Sequence, residues 1–341
     1  MDPRQARRTA IWRRVSFGMA LALVVLVGYL AVIGYQGSLL FATQARAGDC
    51  RTPASAYGWS YEAINYDIST DRDLAPFADA RACAHQGEAA GTELTTSDGI
   101  RIAGWYVPAG NHGGPTAATV VLAHADAKNK SEMLAWADLL HGTYNLVLFD
   151  FRNHGQSSGD VSTMGVREAR DLRAVVDWVT AAKKPASIAL LGVSMGGAAA
   201  ISEAASDTRV AAVVLDSTHA TLANALQARL ERDGYPLALP GAWSILLGGL
   251  LRTGEDMSAA DPVQAIARYG GRPVLILAAG HDQAVGPHDA SDLLAAALGG
   301  GAGAVLQTCA GAAHEESIET CSAQYAGWVL DFLARSLRNP R

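Results

Sequence analysis

A serine between glycines lies where a predicted buried strand is followed by a predicted helix. The segment Gly192-Val193-Ser194-Met195-Gly196 follows the apolar run Ile188–Leu191 and precedes an alanine-rich stretch. So tight a turn requires small residues beside the serine and holds the serine oxygen exposed above the sheet. The helix that follows directs backbone N–H groups and its positive dipole end at developing negative charge. This segment therefore predicts that Ser194 is a nucleophile.

A serine hydroxyl is a weak nucleophile, so a base must take its proton. Of the nine histidines, His314 is the only one that follows all predicted strands, and it precedes the last predicted helix. The acid that orients the base should follow a strand between the serine and the histidine. Asp282 meets this requirement, and Asp216 is its rival. We favour Asp282, because Ser194, Asp282 and His314 then have the chain order of a triad built on a nucleophile elbow.

Three further residues follow predicted strands and are assigned supporting roles. His124 follows Thr119–Ala123, while Arg152 and His154 follow Asn145–Phe149. Neither histidine has the chain position of the catalytic base. We therefore expect both histidines to brace loops around the site through hydrogen bonds, and Arg152 to pair with a nearby carboxylate or carbonyl.

Glu315 and Glu316 are adjacent to His314 and are expected to face solvent. The sequence contains no H-E-x-x-H zinc motif, no P-loop and no G-x-G-x-x-G dinucleotide motif. These are the short patterns that hold catalytic zinc and nucleotides. The sequence therefore implies no metal and no cofactor.

The elements that would position these residues alternate between strand and helix. The Asp98-Gly99 pair predicts a hairpin between Glu93–Thr96 and Ile100–Val107. Alternation of this kind predicts an α/β protein with a mostly parallel sheet and helices on both faces. The predicted buried strands are Thr119–Ala123, Asn145–Phe149, Ser187–Val193, Val210–Leu215, Pro273–Ala278 and Ala304–Gln307. The predicted helices are Lys130–His141, Val166–Ala182, Met195–Ser206, Ala260–Ala267, His288–Leu298 and Ser322–Leu337.

Residues 92–338 resemble the α/β-hydrolase family, in its serine-hydrolase branch. Besides the turn at Ser194, Val120–Asp126 is similar to the family's strand-three motif, whose following loop supplies an oxyanion N–H. Asp150–Ser157 is similar to its D-x-R-x-H-G-x-S loop, and Asp261–Ile276 to the approach to strand seven. The resemblance implies the α/β-hydrolase fold with a Ser-His-Asp triad. It also implies a subgroup of membrane-anchored hydrolases that act on lipids, acyl-peptides or acyl-proteins.

The resemblance also implies an oxyanion hole. Its donors would be the backbone N–H of Met195 and that of Asp126, or of Ala125 if the loop differs. Ala125 stands where the family usually has glycine. An inward-pointing Asp126 carboxylate would oppose the developing negative charge, so we expect it to turn away.

The N-terminus predicts a membrane anchor. Arg14 and Arg46 enclose 31 residues without a charge, and residues 1–14 have a net charge of +4. About 20 apolar residues span a bilayer as a helix, and arginines on one flank keep that flank in the cytoplasm. The predicted organisation is a basic cytoplasmic tip (1–14), a transmembrane helix (15–37), an extracytoplasmic linker (38–91) and a hydrolase domain (92–341). A signal peptide cleaved after Ala45-Arg46-Ala47 is the alternative.

The remaining composition excludes two classes of protein. Half of the residues are hydrophobic and 18% are charged, which does not fit a disordered chain. The formal net charge is −6, so there is no basic excess to bind nucleic acid.

Four cysteines, all after the predicted anchor, are consistent with disulfides outside the cytoplasm. Four cysteines allow three pairings. We favour Cys50–Cys83 and Cys309–Cys321 because the members of each pair are close in sequence. The alternative is that these are unrelated buried thiols.

Residues 218–258 interrupt the strand–helix alternation and are interpreted as a lid. Apolar residues such as Leu237, Trp243, Leu246 and Leu247 would suit an acyl chain, and the alternative is that this helix only packs on the core. The sequence thus predicts a serine hydrolase that cleaves an ester or thioester of an apolar or lipid-like acyl substrate beside the membrane. A peptidase or amidase on the same triad, and a non-catalytic partner protein with this fold, remain the alternatives.

Overall fold

The computed structural model describes residues 3–42, 51–64, 93–110 and 117–337. Within these ranges the chain has eight strands and eleven α-helices. The strands are β1 (Glu62–Ile64), β2 (Gly104–Val107), β3 (Thr119–Ala123), β4 (Asn145–Phe149), β5 (Ile188–Val193), β6 (Val210–Asp216), β7 (Pro273–Ala279) and β8 (Gly303–Cys309). The helices are α1 (Pro3–Ala42), α2 (Pro53–Tyr57), α3 (Leu134–Leu140), α4 (Glu168–Trp178), α5 (Met195–Ser206), α6 (Leu222–Arg232), α7 (Ala238–Thr253), α8 (Pro262–Arg268), α9 (Asp289–Gly299), α10 (Ser317–Thr320) and α11 (Ser322–Leu337).

The strands form one sheet in the order β1-β2-β4-β3-β5-β6-β7-β8. β1 and β2 are antiparallel to their neighbours, and the strands from β3 to β8 are parallel. Parallel strands covered by helices on both faces are apolar along their whole length. This is why β3, β4 and β5 are buried at every residue.

Helices cover both faces of the sheet. On one face α4, α5, α8 and α9 pack against alternate strand residues. On the other face α3 and α11 pack against the remaining ones. The predicted α/β fold with a mostly parallel sheet is confirmed. β3, β4, α5 and α11 have the predicted bounds, and the other parallel strands and helices differ from prediction at their ends.

The predicted hairpin near Asp98 forms only in part. Its first arm contributes a single antiparallel bridge from Thr95 to Arg101, and the regular strand β2 begins only at Gly104. β1 and α2 lie in the predicted linker, 38–91. β1 has three residues, too few for its pattern to show a period, and pairs with β2. The rest of the predicted linker, 43–50 and 65–91, lies outside the described residues.

The N-terminal helix α1 contains the whole predicted transmembrane segment. Residues Trp12–Leu39 have a mean hydropathy of 2.5 and are long and apolar enough to cross a membrane. The C-terminal part of α1 packs against α7 of the 218–258 insertion. Ile33 and Phe41 of α1 join α6 and α7 residues in a third apolar cluster. Through this cluster the C-terminal end of α1 packs on α6 and α7.

Candidate active site

Ser194 occupies the turn between β5 and α5 with φ 52° and ψ −116°. This positive φ is strained for a residue with a side chain, and such strain is concentrated at functional sites. The flanking glycines make the turn possible. A Cβ on Gly192 would collide with the Gly196 carbonyl, and one on Gly196 would collide with the Ala123 carbonyl. The turn therefore holds Ser194 at the carboxyl end of the sheet.

Ser194, His314 and Asp282 form a hydrogen-bonded chain. Ser194 Oγ lies 3.0 Å from His314 Nε2, and His314 Nδ1 lies 2.7 Å from Asp282 Oδ2. The other Asp282 oxygen accepts from the backbone N–H of Ala284 at 2.8 Å. Asp282 follows β7 and His314 follows β8, so the order of strands in the sheet brings the three side chains together.

Asp216, the rival acid, has different partners. Its buried carboxylate accepts hydrogen bonds from the Tyr325 hydroxyl at 2.7 Å and the Ser217 hydroxyl at 3.0 Å. Burial raises the pKa of Asp216 to about 6, against the effect of these two donors. Asp216 therefore bonds to Tyr325 and Ser217, and it does not hold the histidine.

The histidine loop is tied to the aspartate loop. Cys309 and Cys321 form a disulfide with their Cα atoms 6.0 Å apart, in the predicted pairing. The Cys309 carbonyl accepts from Gly280 N–H, and the Ala312 carbonyl accepts from His281 N–H, both at 2.8 Å. His314 lies inside the loop that the disulfide closes. The other predicted pair, Cys50–Cys83, lies outside the described residues.

Reduction of Cys309–Cys321, or the double change to serine, is expected to lower both stability and turnover. Closing a loop of this length contributes about 3 kcal/mol in the chain-entropy model. Without the bond the His314 loop is less ordered, so fewer molecules hold Nε2 at Ser194. Thermal unfolding and kcat with and without reductant measure the two effects. Identical values in both conditions would contradict this prediction.

The position of Glu315 differs from our expectation, since its carboxylate faces the site. Glu315 Oε1 lies 3.2 Å from His314 Nε2, the same atom that faces Ser194. The backbone of Glu315 has φ 68°, and the Glu315 N–H donates to Ser217 Oγ. This backbone conformation turns the Glu315 side chain inwards. Burial lowers the pKa of His314, but its bonds to Asp282 and Glu315 outweigh burial and raise this pKa to about 9. Glu315 thus favours the protonated imidazolium.

Replacing Glu315 by glutamine is expected to increase activity near neutral pH. A base must be unprotonated to accept the serine proton, so a His314 pKa near 9 places the rising limb of the pH–rate profile in the alkaline range. Removing the carboxylate lowers that pKa and moves the limb towards neutral pH, with about a tenfold gain at pH 7 per pKa unit. The pH dependence of kcat/KM measures the shift.

The matched control is Glu316→Gln, because Glu316 is the exposed neighbour of Glu315. Its profile should coincide with the wild-type profile. An unchanged limb in Glu315→Gln, or an equal shift in both variants, would contradict the role given to Glu315.

The predicted oxyanion donors lie around Ser194. Met195 is the first residue of α5, so its N–H has no partner within the helix. The Ala125 N–H stabilises the Glu132 carboxylate, which leaves the Asp126 N–H as the second candidate donor. Asp126 lines the cavity at Ser194, and its Oδ1 lies 3.5 Å from His154 Nε2. This Oδ1 atom is buried and has no hydrogen-bond partner among the described residues.

The three supporting residues brace the loops. His124 is buried, donates from Nδ1 to the Ala125 carbonyl at 2.7 Å, and accepts at Nε2 from Phe151 N–H. Burial lowers the pKa of His124 to about 3, so its imidazole is neutral. His154 Nδ1 donates to the Arg152 carbonyl at 2.8 Å. Arg152 forms ion pairs with two carboxylates, those of Asp98 and Asp171.

A cavity of about 250 Å³ opens at Ser194. Its apolar wall consists of Phe41, Met164, Leu222 and Leu226, and its polar wall includes His219, Arg229 and Arg232. The four residues that we assigned to the lid do not line this cavity. Leu246 is buried in the third apolar cluster, together with Ile33 and Phe41 of α1. Trp243 and Leu247 are exposed on α7, and Leu237 is exposed just before it. Within the insertion, α6 and not α7 faces Ser194.

The sequence analysis singled out neither His219 nor Phe41, and both line the cavity. His219 Nε2 is buried without a hydrogen-bond partner among the described residues, and burial lowers the pKa of His219 to about 4. Its position just after β6 was a usable signal, like that of the other strand-end residues. Phe41 belongs to α1, and nothing in its local sequence indicates contact with a residue 153 positions later. Among the described residues no group of three or more His, Cys, Asp or Glu could hold a metal ion.

Comparisons with known proteins agree with this architecture. A family model described as the alpha/beta hydrolase fold matches residues 112–269, just under half of the chain. The chain is 32% identical over 207 residues to the uncharacterized protein Rv2307c of Mycobacterium tuberculosis, covering 60% of this chain and 65% of that one. It is 31% identical over 153 residues to the uncharacterized protein YfhR of Escherichia coli, covering 42% and 52%. The chain therefore spans about half the length of YfhR.

Solved structures extend the similarity to most of the chain. The esterase Pf2001 of Pyrococcus furiosus superposes with a TM-score of 0.66 at 19% identity, over 87% of this chain and 98% of that one. The esterase EaEST of Exiguobacterium antarcticum does so with a TM-score of 0.53 at 17% identity, over 72% and 99%. At these identities the likeness shows the fold. The chain is therefore an α/β-hydrolase-fold protein.

Proposed function

We propose that this protein is a serine hydrolase that cleaves a carboxylic ester or thioester with Ser194, His314 and Asp282. The observation that supports this most is the continuous chain from Ser194 Oγ through His314 to Asp282, at 3.0 and 2.7 Å. The strained turn that exposes Ser194 at the start of α5 adds to it.

In the proposed reaction Ser194 Oγ attacks the acyl carbonyl carbon while His314 Nε2 takes its proton. Asp282 accepts from His314 Nδ1–H, and so holds the reactive tautomer and stabilises the imidazolium. The backbone N–H groups of Met195 and Asp126 bind the oxyanion, each contributing about 3–4 kcal/mol in comparable sites. The imidazolium then gives its proton to the leaving oxygen or sulfur. Water, deprotonated by His314, releases the acid and restores Ser194.

The cavity has an apolar wall that suits an acyl group. Phe41, Leu222 and Leu226 on this wall carry no hydrogen-bonding side chains. His219 lines the same cavity with a neutral imidazole whose Nε2 has no hydrogen-bond partner among the described residues, and it would suit the alcohol side of an ester. A volume of about 250 Å³ is smaller than the usual range of about 300–1,000 Å³ for ligand sites, so it accommodates only a short part of a chain.

The protein is further proposed to be anchored by α1, with its N-terminus in the cytoplasm. The arginines before the apolar run support this orientation. The contacts of α1 support its retention over cleavage as a signal peptide. Cleavage after Ala47 would remove Phe41, which is buried at the cavity and whose carbonyl accepts from Ser162 N–H at 3.1 Å. Loss of that side chain would open the cavity wall.

Labelling with a fluorophosphonate probe tests the proposed chemistry. The probe phosphonylates a nucleophilic serine with loss of fluoride, and mass spectrometry of the digested protein locates the adduct. The expected result is one adduct, on the peptide that contains Ser194. A folded protein that is not labelled would favour a non-catalytic role. Labelling combined with a preference for aminoacyl amides over p-nitrophenyl esters would favour a peptidase.

A further inference from the structure

The C-terminal part of α1, from about Tyr29 to Ser38, and the insertion helix α7 run side by side in the same direction. The Tyr29 hydroxyl donates to the Pro236 carbonyl at 2.6 Å near the start of α7, and Arg252 near its end donates to Ser38 Oγ at 3.3 Å. Small residues allow the two backbones to touch. A Cβ on Gly34 would lie 2.6 Å from the Ser244 carbonyl oxygen. The pair is therefore a close-packed unit and not a loose tether beside a lid.

An apolar groove of about 730 Å³ runs between these helices. Its α1 wall contains Val27, Leu30, Gly34 and Ser38, which are spaced three or four residues apart and therefore share one face of the helix. Its α7 wall includes Leu247 and Leu251, which are 56% and 80% exposed. Exposed leucines of this size along a groove form a surface that favours an apolar occupant.

The groove and the active-site cavity follow each other along α1. The α1 wall, from Val27 at the lower end to Ser38, lies within the segment that is apolar enough to span a bilayer, and Ser38 is one residue before the end of that segment at Leu39. Ser38 at the upper end is one helical turn before Phe41, which lines the cavity of Ser194. Residues 27, 34 and 41 are seven apart, so they lie on nearly the same face. From Val27 to Phe41 the helix rises about 21 Å.

The surroundings of the two ends of the groove indicate which molecule would occupy it. A helix that spans a bilayer places the lower end among lipid acyl chains, which are the apolar molecules available there. At the upper end the exposed guanidinium of Arg252 lies 5.4 Å from the Tyr35 ring, where a polar headgroup would meet a cation. Apolar walls below and a positive charge above match the two parts of a membrane lipid.

We propose that the α1–α7 groove receives the acyl chain of a bilayer lipid and guides its ester to Ser194, with Phe41 as the side chain that separates the groove from the active-site cavity. This inference rests on the proposed serine hydrolase and on α1 spanning the membrane. It names the substrate class as acyl esters taken from the bilayer. It also explains why the cavity itself is small, because most of the chain would lie in the groove.

The test compares a long and a short substrate. The full-length protein in phosphatidylcholine vesicles is assayed with p-nitrophenyl palmitate dissolved in the bilayer and with p-nitrophenyl acetate in water. Leu251→Asp places a charge in the groove, and Leu239→Asp is the matched control, since Leu239 is 50% exposed on the same helix but does not line the groove. Because a charge beside an acyl chain is unfavourable, the palmitate-to-acetate ratio is expected to fall about tenfold in Leu251→Asp only.

Phe41 is tested by Phe41→Leu and Phe41→Trp, which keep an apolar side chain. The smaller residue should raise the palmitate-to-acetate ratio and the larger one should lower it, in variants whose fluorophosphonate labelling shows a reactive serine. Equal ratios in the Leu251 and Leu239 variants, or ratios insensitive to Phe41, overturn the inference while the proposed hydrolase stands. An unlabelled wild-type protein overturns the proposed hydrolase itself.

Discussion

Changing Ser194 to alanine is expected to reduce kcat/KM for p-nitrophenyl esters by about 10⁶-fold, the size found when a triad nucleophile is removed. The variant has no oxygen to attack the carbonyl, and His314 has no proton to accept. Stability should change little, since alanine at φ 52° is strained as serine is, and the removed atom bonds chiefly to His314. Hydrolysis rates and thermal unfolding of the purified full-length protein measure both effects.

Ser206→Ala provides the matched control for this change. Ser206 is an exposed serine at the other end of the same helix, α5, and its hydroxyl donates to the Glu203 carbonyl. Its variant should keep wild-type kinetics. If Ser194→Ala retained more than about a hundredth of the activity, another nucleophile would have to be sought and the proposed mechanism abandoned.

Changing Asp282 to asparagine is expected to lower kcat by about 10⁴-fold, as the equivalent change does in serine proteases. The Asp282 carboxylate accepts from His314 Nδ1–H at 2.7 Å, whereas an amide NH₂ would donate to an unprotonated Nδ1. The imidazole proton would then lie on Nε2, which could no longer accept the proton of Ser194. The imidazolium of the transition state would also lose its counter-charge. Steady-state kinetics over a range of pH measure the loss.

Asp216→Asn separates this role from a general need for buried carboxylates. Asp216 ends the neighbouring strand β6 and bonds to Tyr325 and Ser217, not to His314. We expect its variant to lose less than about tenfold in kcat, since only a neighbouring charge changes. A larger loss from Asp216→Asn than from Asp282→Asn would reverse the assignment of the acid.

Features that depend on short stretches of chain were predictable from the sequence. The turn at Ser194 needs small neighbours, a strand before it and a helix after it, and all of these lie within about 20 consecutive residues. The same holds for the buried strands β3 and β4, whose uninterrupted apolar runs mark burial on both faces. The apolar run of α1 was equally evident, because bilayer thickness translates directly into a number of residues.

Features that depend on contacts between distant segments were harder to predict. The sequence put Asp216 and Asp282 after adjacent strands, and chain order alone favoured Asp282; the structure adds that only Asp282 is within hydrogen-bond distance of His314. Glu315 was expected to face solvent, but a left-handed backbone at that residue turns its carboxylate to Nε2. The lid prediction chose the more apolar helix, α7, whereas α6 lines the cavity and α7 packs on α1.

By itself, the sequence determined the α/β pattern, the exposed Ser194, the candidates for its partners and an apolar N-terminal helix, because local sterics and hydrophobic periodicity decide such features. Only the tertiary structure decided which carboxylates reach His314, and that Phe41 of the N-terminal helix lines the cavity of Ser194. The contact of Asp282 with His314 and the position of Phe41 at the cavity involve residues that are far apart in the chain, and the packing of distant segments decides them. The contact of Glu315 with His314 depends on the backbone angle of Glu315, which the short segment around it does not reveal.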